Sequence, residues 1–371
     1  MDRYKSFFRG IAYAGYCIVF LFAVYTFEKS IPDQIYVKAG EAIDYQFQVP
    51  VTMEIQEDSS PVAKSTNNAN VRQSYIVTCR LFGIFPVKDI EVVLVDGDAV
   101  YAGGMPIGIY VKTRGVLVIG TSEVERPDGS EAAPAENILK AGDYILSVNG
   151  EKVAEKEDLQ RLVQQNGAEK EILKINRKGE EVEVGVTPVQ NKNGTYMLGA
   201  WVRDDLAGIG TLTYYKEDGT YGALGHAVSD GDVGERIQMR EGYVYNAQII
   251  GVKKGQKGNP GELSGMIRYQ SADCLGTIEE NTDIGIYGKL DGNIAALPRG
   301  DYYNICYKQD IKQGPATIIC GFTGEKTEYA IEIERLDYSG REENKGFLFR
   351  VTEEQLLDMT GGIVQGMSGS P

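Results

Sequence analysis

Histidine is almost absent from this chain of 371 residues, because His226 is the only one. Imidazole is the side chain that titrates near neutral pH, so the sequence offers a single candidate for a general base. A zinc protease with the HExxH motif needs two histidines and is therefore excluded. The cysteines show neither a Cys-x-x-Cys spacing nor a cluster with the histidine. We therefore expect no metal site and no cofactor.

Cysteine is also scarce, with five residues in the chain. Cys17 lies in an apolar segment near the amino terminus. The other four, Cys79, Cys274, Cys306 and Cys320, are widely spaced. We expect ordinary buried thiols, and a disulfide between Cys306 and Cys320 is the alternative.

Positive charge is in deficit, since 38 Lys and Arg face 53 Asp and Glu and give a formal net charge of -15. Phosphate binding relies on clustered Lys and Arg, so nucleic acid is excluded as a partner. With 42% hydrophobic residues the composition is that of a globular protein, and the length predicts two or three folded units. Forty-five glycines and 23 tyrosines, with few helical runs, predict a mostly β chain.

One long apolar run stands near the amino terminus, at Ile11–Phe27, behind Arg3, Lys5 and Arg9. Its length and the basic residues before it predict a single transmembrane anchor within residues 1–30, with the amino terminus cytoplasmic and the rest of the chain extracytoplasmic. A cleaved signal peptide is the alternative, but no small-x-small cleavage site follows before Pro32.

Two further regions precede the carboxyl-terminal half. Residues 31–100 alternate apolar and polar positions and predict a small β unit. Residues 101–190 carry strands, a helical run at 155–165 with Leu159, Leu162 and Val163 at helical spacing, and two more strands. The L-x-x-G-D-x-I-L-x-x-N-G core at Leu139–Gly150 makes this region similar to a PDZ domain. A generic β-rich spacer is the alternative.

The resemblance to a PDZ domain implies a peptide-binding loop. Such a domain takes an extended peptide as an added strand, and backbone N–H groups of a glycine-containing loop hold the peptide's carboxylate. In this chain the loop corresponds to Gly104, Met105, Pro106, Ile107 and Gly108.

In residues 191–371 glycine separates seven or more short apolar runs, which predicts a barrel or a sandwich and fits a protease built from two β-barrels. One short helix is expected at Glu353–Met359.

The closing hexapeptide GMSGSP contains Ser368, our candidate nucleophile, and His226 is the base that would activate it. The N–H groups of Gly366 and Ser368 are candidates for an oxyanion hole. Ser370 is the alternative nucleophile.

The carboxylate that would orient His226 is not settled by the sequence. Asp283, in NTDIGIYG, lies between the histidine and the serine, which is the order found in chymotrypsin-like proteases. Glu353 lies shortly before Ser368, and Asp230 shortly after His226.

Four segments, YGALGHAVSD, PGEL at Pro260–Leu263, NTDIGIYG and TGGIVQGMSGSP, make nearly the whole chain similar to the stage IV sporulation protein B family. These are sporulation-signalling serine peptidases with a PDZ domain, found in endospore-forming Firmicutes. The resemblance implies that His226 and Ser368 are catalytic. The family's acid is an aspartate that corresponds to Glu353 here, so either Glu353 replaces it or Asp283 is the partner.

The resemblance also implies a biological role. Such a peptidase acts in the space between the two forespore membranes, where it cleaves itself and then a membrane-bound regulator, and an intramembrane protease then activates a late sigma factor. Two alternatives remain: a non-catalytic PDZ scaffold, and a quality-control serine protease of broad specificity.

The sequence ends at Pro371, directly after the candidate nucleophile. In a two-barrel protease the strands after the serine close the second barrel and line the substrate cleft. We therefore expect the 371-residue chain to have an unpaired sheet edge and an open cleft, and to be inactive and poorly soluble.

Overall fold

The computed structural model of the chain describes residues 31–38, 51–55, 62–64, 72–95, 99–291, 302–336 and 346–371, together with positions 15, 18, 19, 22, 24–26, 28, 40, 41, 43 and 97. Most of the regular structure in these residues is strand, so the prediction of a mostly β protein is confirmed. The predicted anchor at Ile11–Phe27 lies largely outside the described residues. Within the described part of the chain, no helix is long and apolar enough to cross a bilayer.

The amino-terminal unit is a five-stranded sheet in the order β1-β5-β4-β2, with β3 paired to β4. Its strands are β1 (Gln34–Lys38), β2 (Val51–Ile55), β3 (Val62–Lys64), β4 (Arg72–Leu81) and β5 (Phe85–Val95). β1 pairs with β5 in parallel, and the other pairs are antiparallel. Alternate residues of the long strands β4 and β5 point into the core, as the period of two requires. Val77, Cys79, Ile90 and Val92 are among the fully buried residues there.

The described residues after this unit contribute strands β6 to β25 and two α-helices. In chain order the strands are β6 (Ala99–Ala102), β7 (Pro106–Thr121), β8 (Val124–Glu125), β9 (Glu131–Ala132), β10 (Tyr144–Val148), β11 (Glu151–Lys152), β12 (Glu171–Arg177), β13 (Glu180–Val186), β14 (Val189–Gln190), β15 (Tyr196–Met197), β16 (Ala200–Tyr215), β17 (Thr220–Ala223), β18 (Met239–Lys253), β19 (Glu262–Ile267), β20 (Cys274–Thr282), β21 (Gly285–Leu290), β22 (Tyr302–Asn304), β23 (Gly314–Cys320), β24 (Thr327–Leu336) and β25 (Phe347–Val351). The helices are α1 (Lys156–Asn166) and α2 (Glu354–Thr360).

Six of these strands close into an antiparallel barrel. The order is β7-β18-β20-β21-β17-β16, and β16 pairs back with β7 to complete the ring. Closure removes the free sheet edges that an open sheet of this size would have. Apolar residues at every second position fill the interior, including Ile107, Ile109, Val111, Leu212, Tyr221, Val244, Ile278 and Ile286.

The expectation of two barrels needs correction. β23, β24 and β25 form a three-stranded sheet, and three strands are too few to close into a ring. Within the described residues, therefore, one barrel is closed and a second is not formed.

The segment between β7 and β16 carries the PDZ-like region, which we call the PDZ unit (residues 116–199). Helix α1 begins at Lys156 after Glu155, whose side chain forms a capping box with Asp158. Leu159, Leu162 and Val163 are buried against the sheet, so the helix that their spacing predicted is confirmed. The sheet in this unit runs β7-β10-β12-β13. Its core includes Val116, Val118, Leu139, Ile145, Val148, Leu173 and Ile175.

Strand β7 belongs to the barrel and to the PDZ unit at the same time. Its first half pairs with β16 and β18 in the barrel, and its second half pairs with β16 and β10. The sequence analysis placed residues 101–190 in the PDZ domain, whereas the structure puts 106–113 in the barrel wall. The PDZ unit is thus an insertion between two neighbouring barrel strands.

Candidate active site

The predicted base lies in a strained turn that follows β17. Leu224 and Gly225 both have φ near +74°, a conformation that is unfavourable for leucine. Leu224 is nonetheless buried, and its N–H donates to Thr211 O over 3.2 Å. The turn presents the imidazole of His226 to solvent.

The hydrogen bonding of His226 indicates which ring nitrogen is basic. Nδ1 lies 2.8 Å from the carbonyl oxygen of Ala227. A carbonyl can only accept, so Nδ1 carries the proton in this arrangement and Nε2 holds the free lone pair. Nε2 is therefore the nitrogen that could take a proton from a nucleophile.

The predicted nucleophile lies in a loop that follows α2, residues 361–371. Gly361 ends the helix with φ +73°, the left-handed conformation typical of a glycine cap. Within the loop, Met367 N–H donates to Val364 O at 3.1 Å and Ser370 N–H to Met367 O at 3.0 Å. Ser368, between these two turns, is half-buried.

Two other segments hold this serine loop in place. Gln365 exchanges backbone hydrogen bonds with the PGEL segment, donating to Gly261 O at 2.9 Å and accepting from Leu263 N–H at 2.8 Å. The buried hydroxyl of Thr211 donates to Gly366 O at 2.8 Å. The PGEL motif thus holds the serine loop through backbone hydrogen bonds, and the Thr211 hydroxyl bonds the loop to strand β16.

The histidine turn and the serine loop touch at Gly369. A Cβ built on Gly369 would lie 2.5 Å from Leu224 N and 2.8 Å from Thr211 O. Only glycine allows so close an approach between the two backbones. The contact is one residue away from Ser368 and two residues away from His226, so the fold brings the two candidate catalytic segments together.

The backbone of the serine loop also leaves five donors unused among the described residues, the N–H groups of Ile363, Val364, Gly366, Ser368 and Gly369. Among the described residues, the N–H groups of Gly366 and Ser368 donate to no carbonyl, whereas those of Gln365, Met367 and Ser370 do. These are the two N–H groups that the sequence analysis assigned to an oxyanion hole.

Ser370, the alternative nucleophile, is engaged elsewhere. Its Oγ lies 3.3 Å from the thiol of Cys320, and the carbonyl of the next residue, Pro371, accepts from Ile319 N–H at 2.8 Å. Burial raises the pKa of Cys320, and the hydrogen bond to Ser370 offsets part of that shift. A neutral thiol cannot activate a hydroxyl in the way that an imidazole can.

The cysteines differ in part from expectation. Cys79 and Cys320 are buried, Cys274 is half-buried, and Cys306 is exposed; all four are free thiols. The alternative of a disulfide between Cys306 and Cys320 is therefore wrong for this structure.

Three carboxylates were candidates for orienting His226. Asp230 is fully buried, pairs with Arg203 and accepts from the N–H groups of Asp232 and Val233 at 2.9 and 3.0 Å. Its oxygens are committed to that turn, which makes Asp230 a structural residue.

The other two carboxylates occupy different positions relative to the histidine turn. Asp283 follows Asn281, whose side-chain amide exchanges two hydrogen bonds with the backbone of Val228, at 2.8 and 2.9 Å. A Cβ on Gly285 would lie 3.4 Å from Gly225 N. The loop that carries Asp283 therefore packs against the histidine turn, and the carboxylate itself lies 3.2 Å from Arg236.

Glu353 is the residue before helix α2, and its half-buried side chain makes no hydrogen bond or ion pair with the described residues. It contributes only weakly to the raised pKa of Tyr329, which burial dominates. Neither Glu353 nor Asp283 bonds the imidazole of His226 in this structure.

The predicted PDZ peptide loop, Gly104–Gly108, requires correction. Gly104 N–H donates to Leu212 O at 2.7 Å, and Gly104 O accepts from Gly321 N–H. Ile107 and Gly108 pair with β16 on one side and with β18 on the other. A loop that holds a carboxylate needs unpaired N–H groups, and these residues are part of the barrel wall instead.

The chain itself occupies the free edge of the PDZ unit. Ala200 and Arg203 of β16 pair with Thr121 and Leu117 of β7. On the other side, Asp204 accepts from Lys156 N–H at 3.0 Å. Residues 200–203 thus lie beside strand β7 as an added strand, and Asp204 contacts the start of helix α1.

Sequence reasoning missed several residues that shape the site. Thr211, Asn281 and Arg203 hold the serine loop, the histidine turn and Asp230, respectively. The pairing partners lie far apart along the chain, so no local pattern could have identified them. Among the described residues, no group of three or more His, Cys, Asp or Glu side chains could hold a metal ion.

Comparison with known proteins agrees with this geometry. Residues 194–371 match the family model of SpoIVB peptidase S55, and residues 127–177 match that of the PDZ domain. No curated protein matches the chain.

Similar solved structures include the PDZ domains of the SdrC-like proteins of Listeria monocytogenes and Listeria innocua. The first is 18% identical over 24% of this chain and 87% of that chain, with a TM-score of 0.20. The second is 19% identical over 23% of this chain and 93% of that chain, with a TM-score of 0.18.

The two family matches cover the barrel from β16 onward and the middle of the PDZ unit, and they leave strand β7 outside both. Strand β7 completes the barrel, so the peptidase fold starts before the PDZ unit. The chain is SpoIVB-like, with a serine-peptidase region of the S55 family and a PDZ domain.

Proposed function

We propose that the chain is a membrane-tethered serine endopeptidase that cleaves itself and then a membrane-bound regulatory protein, and so triggers intramembrane proteolysis in sporulation. The observation that carries the catalytic part is the contact at Gly369, where the serine loop meets the histidine turn; the unused N–H groups of that loop include those of Gly366 and Ser368. The S55 family match supports the peptidase, and the sequence resemblance supports the sporulation role.

In the proposed reaction, Nε2 of His226 takes the proton of Ser368 as Oγ attacks the scissile carbonyl. The N–H groups of Gly366 and Ser368 stabilise the oxyanion of the tetrahedral intermediate. His226 then returns the proton to the leaving amine, and water hydrolyses the acyl-enzyme by the same steps.

We assign the orienting acid to Asp283, because its loop packs against the histidine turn through Asn281 and Gly285. In this role the carboxylate would exchange Arg236 for the imidazolium of His226. Glu353, the position that corresponds to the family's acid, is the competing assignment. Its place at the start of α2 puts it on the element that leads into the serine loop.

The anchor at Ile11–Phe27 would hold the amino terminus in the cytoplasm and the peptidase outside, in the space between the forespore membranes. The partners would be a second copy of the chain and a membrane-bound regulator. The self-occupied edge of the PDZ unit supports a role in positioning β16 rather than in binding a foreign peptide at that edge.

A fluorophosphonate probe tests the nucleophile, since it forms a covalent bond only with an activated hydroxyl. The expectation of an inactive chain depended on a second barrel, which the described residues do not form. We therefore expect the full chain to be labelled at Ser368, as mapped by mass spectrometry. Ser368→Ala should abolish labelling, and His226→Gln should slow it by about a thousandfold or more. Ser370→Ala is the matched control and should be labelled like the parent.

Two results would contradict the assignment. A folded parent that stays unlabelled would favour the PDZ scaffold, and labelling that survives in Ser368→Ala but not in Ser370→Ala would move the nucleophile to Ser370. Self-cleavage of the parent on a gel, without cleavage of unfolded casein, would separate the signalling peptidase from a broad-specificity protease.

The acid is tested by Asp283→Asn and Glu353→Gln. We expect the first change to slow labelling by at least about a hundredfold and the second by less than about fivefold, because loss of the orienting carboxylate leaves the imidazole poorly aligned. The reverse order would assign the role to Glu353.

A further inference from the structure

A cavity of about 510 Å³ lies where the PDZ unit meets the barrel. Its walls come from the end of the barrel part of β7, from β10, β11 and β12 of the PDZ unit, and from the start of β18. This volume falls within the range of sites for small molecules, about 300–1,000 Å³. None of its lining residues is assigned to the peptidase site.

The walls of this cavity carry one sign of charge. Four cations line it, Arg114, Lys152, Lys174 and Arg240, and no carboxylate does. The other lining residues are Ser147, glycines, alanine and apolar side chains. In a chain with a formal charge of -15, such a concentration of positive charge is unexpected unless it has a ligand.

Two of the four cations are partly neutralised from outside the cavity. Lys174 pairs with Glu181 at 2.6 Å, and Arg240 lies 3.6 Å from Glu155 and 3.4 Å from Glu241. Lys174, and more weakly Arg114, lower the pKa of Glu181.

The other two cations, Arg114 and Lys152, are exposed to solvent and make no ion pair with any carboxylate in the described residues. In addition, Nε of Arg240 is buried and donates no hydrogen bond within the same residues, although Glu241 Oε1 lies 3.4 Å from it. Nη1 of Arg240 donates to Ala154 O at 3.1 Å. A buried donor without a hydrogen bond is costly, and an anion in the cavity would supply the hydrogen bond that Glu241 does not make.

Gly115, which lines the cavity, lies against strand β10. Gly115 has φ +86°, and a Cβ there would lie 2.5 Å from Ile145 O. The glycine therefore lets β7 turn from the barrel into the PDZ unit next to Arg114. The guanidinium groups of Arg114 and Arg240 reach the cavity from different strands, β7 and β18.

We propose that this cavity is a binding site for a small multivalent anion, one that carries two or more phosphate or carboxylate groups. Planar guanidinium groups bind both of these groups through paired hydrogen bonds, and the two lysines add point charges. Because Arg240 belongs to the barrel and Lys152 and Lys174 to the PDZ unit, a bound anion would join the two parts. The proposal does not depend on peptidase activity.

Isothermal titration calorimetry of the full chain tests the proposal, with inorganic pyrophosphate and citrate as probes at constant ionic strength. We expect one site for at least one probe, with an affinity that falls as sodium chloride rises. Tighter binding of pyrophosphate would indicate a phosphate-bearing ligand, and tighter binding of citrate a carboxylate-bearing one. No heat with either probe from the folded parent would overturn the proposal.

The variant Arg114→Gln/Lys152→Gln tests the location of the site. These residues make no ion pair, so the change should leave the melting temperature of the unliganded protein unchanged, and it should weaken binding about tenfold or more. The matched control, Lys140→Gln/Lys254→Gln, removes the same charge from exposed positions outside the cavity. Equal weakening in both variants, or no weakening in the first, would overturn the site.

Discussion

Among the described residues, buried polar groups in the PDZ unit other than Glu171 have hydrogen-bond partners, whereas several polar groups at the catalytic end of the barrel, where the histidine turn meets the serine loop, do not. In the PDZ unit, Asp143 is 1% exposed and accepts from Arg177 at 2.6 and 2.8 Å and from Lys140 N–H at 2.8 Å. At the catalytic end, His226 is exposed, and the N–H groups of Gly366 and Ser368 are unused.

Backbone strain occurs in both regions. Non-glycine residues with positive φ in the PDZ unit are Asn137, Asn149 and Lys178; asparagine tolerates this conformation well in turns. At the catalytic end the residue is Leu224, held by the serine loop and by Thr211. The difference therefore lies in the polar groups: open donors at one end and the satisfied Asp143 at the other are the pattern expected when one part serves chemistry and the other serves stability.

The largest expected effect is on the stability of the PDZ unit. Asp143→Asn leaves Arg177 without its carboxylate, and breaking a buried ion pair costs about 3–5 kcal/mol. Denaturant unfolding measures this loss. Glu151→Gln, which breaks the exposed pair with Arg161, is the control and should cost less than about 1 kcal/mol.

The comparison also predicts that the folded Asp143→Asn protein keeps the reactivity of Ser368. Under conditions where the variant is folded, fluorophosphonate labelling at Ser368 should proceed at the parent's rate. If labelling fails in the folded protein, the two regions are not separable in the way we describe.

The second effect belongs to the contact between the two catalytic loops. Gly369→Ala places a Cβ 2.5 Å from Leu224 N at φ +90°. The unfavourable φ costs about 1–2 kcal/mol, and the clash adds about 1–3 kcal/mol. Gly225→Ala has a similar φ, +74°, but open space around its Cβ, so it isolates the cost of the conformation. Equal losses in the two variants, measured by denaturant unfolding, would show that the loops are not in tight contact.

The sequence predicted local features of both regions and missed how they join. The spacing of Leu159, Leu162 and Val163 predicted α1, because amphipathic periodicity is a local property. The pairing of Ile107 with Gly210 is not local. Strand patterns reveal a strand but not its partner, so β7 was assigned to the PDZ domain, and a loop for peptide carboxylates was placed at residues that lie in the barrel wall.

The catalytic site was predictable to a similar extent. A single histidine and the GMSGSP motif identified two segments that the fold then brings into contact. The hydrogen bonds of Thr211 to the serine loop and of Asn281 to the histidine turn join residues far apart in the chain, so no sequence motif predicts them. The choice between Glu353 and Asp283 stayed open for the same reason, since it depends on which loop packs against the histidine turn.

A smaller effect is expected where β16 meets the serine loop. Thr211→Val keeps the shape of the side chain but leaves Gly366 O without its donor, at a cost of about 1–3 kcal/mol. Because Gly366 also carries a proposed oxyanion donor, labelling at Ser368 should slow by about tenfold. Thr211→Ser retains the hydroxyl and should restore the labelling rate. A Ser variant as slow as the Val variant would show that the methyl group, rather than the hydrogen bond, positions the loop.

The smallest expected effect concerns Glu171, a buried polar group of the PDZ unit that lacks the partners that Asp143 has. Glu171 in β12 is fully buried, and burial raises the pKa of its carboxyl group, an effect that Asn166 only partly offsets. A raised pKa means that the folded state binds the proton more tightly, so stability falls as the pH rises above the unfolded value of about 4.3. Glu171→Gln should therefore be more stable than the parent at pH 7, and the difference in melting temperature should shrink toward pH 4. Glu169→Gln, at an exposed neighbouring position, is the control and should show no such trend. If the stability difference between Glu171→Gln and the parent does not change with pH, the buried carboxyl group stays in the same protonation state throughout. Glu171 would then not be a destabilising buried charge in the PDZ unit.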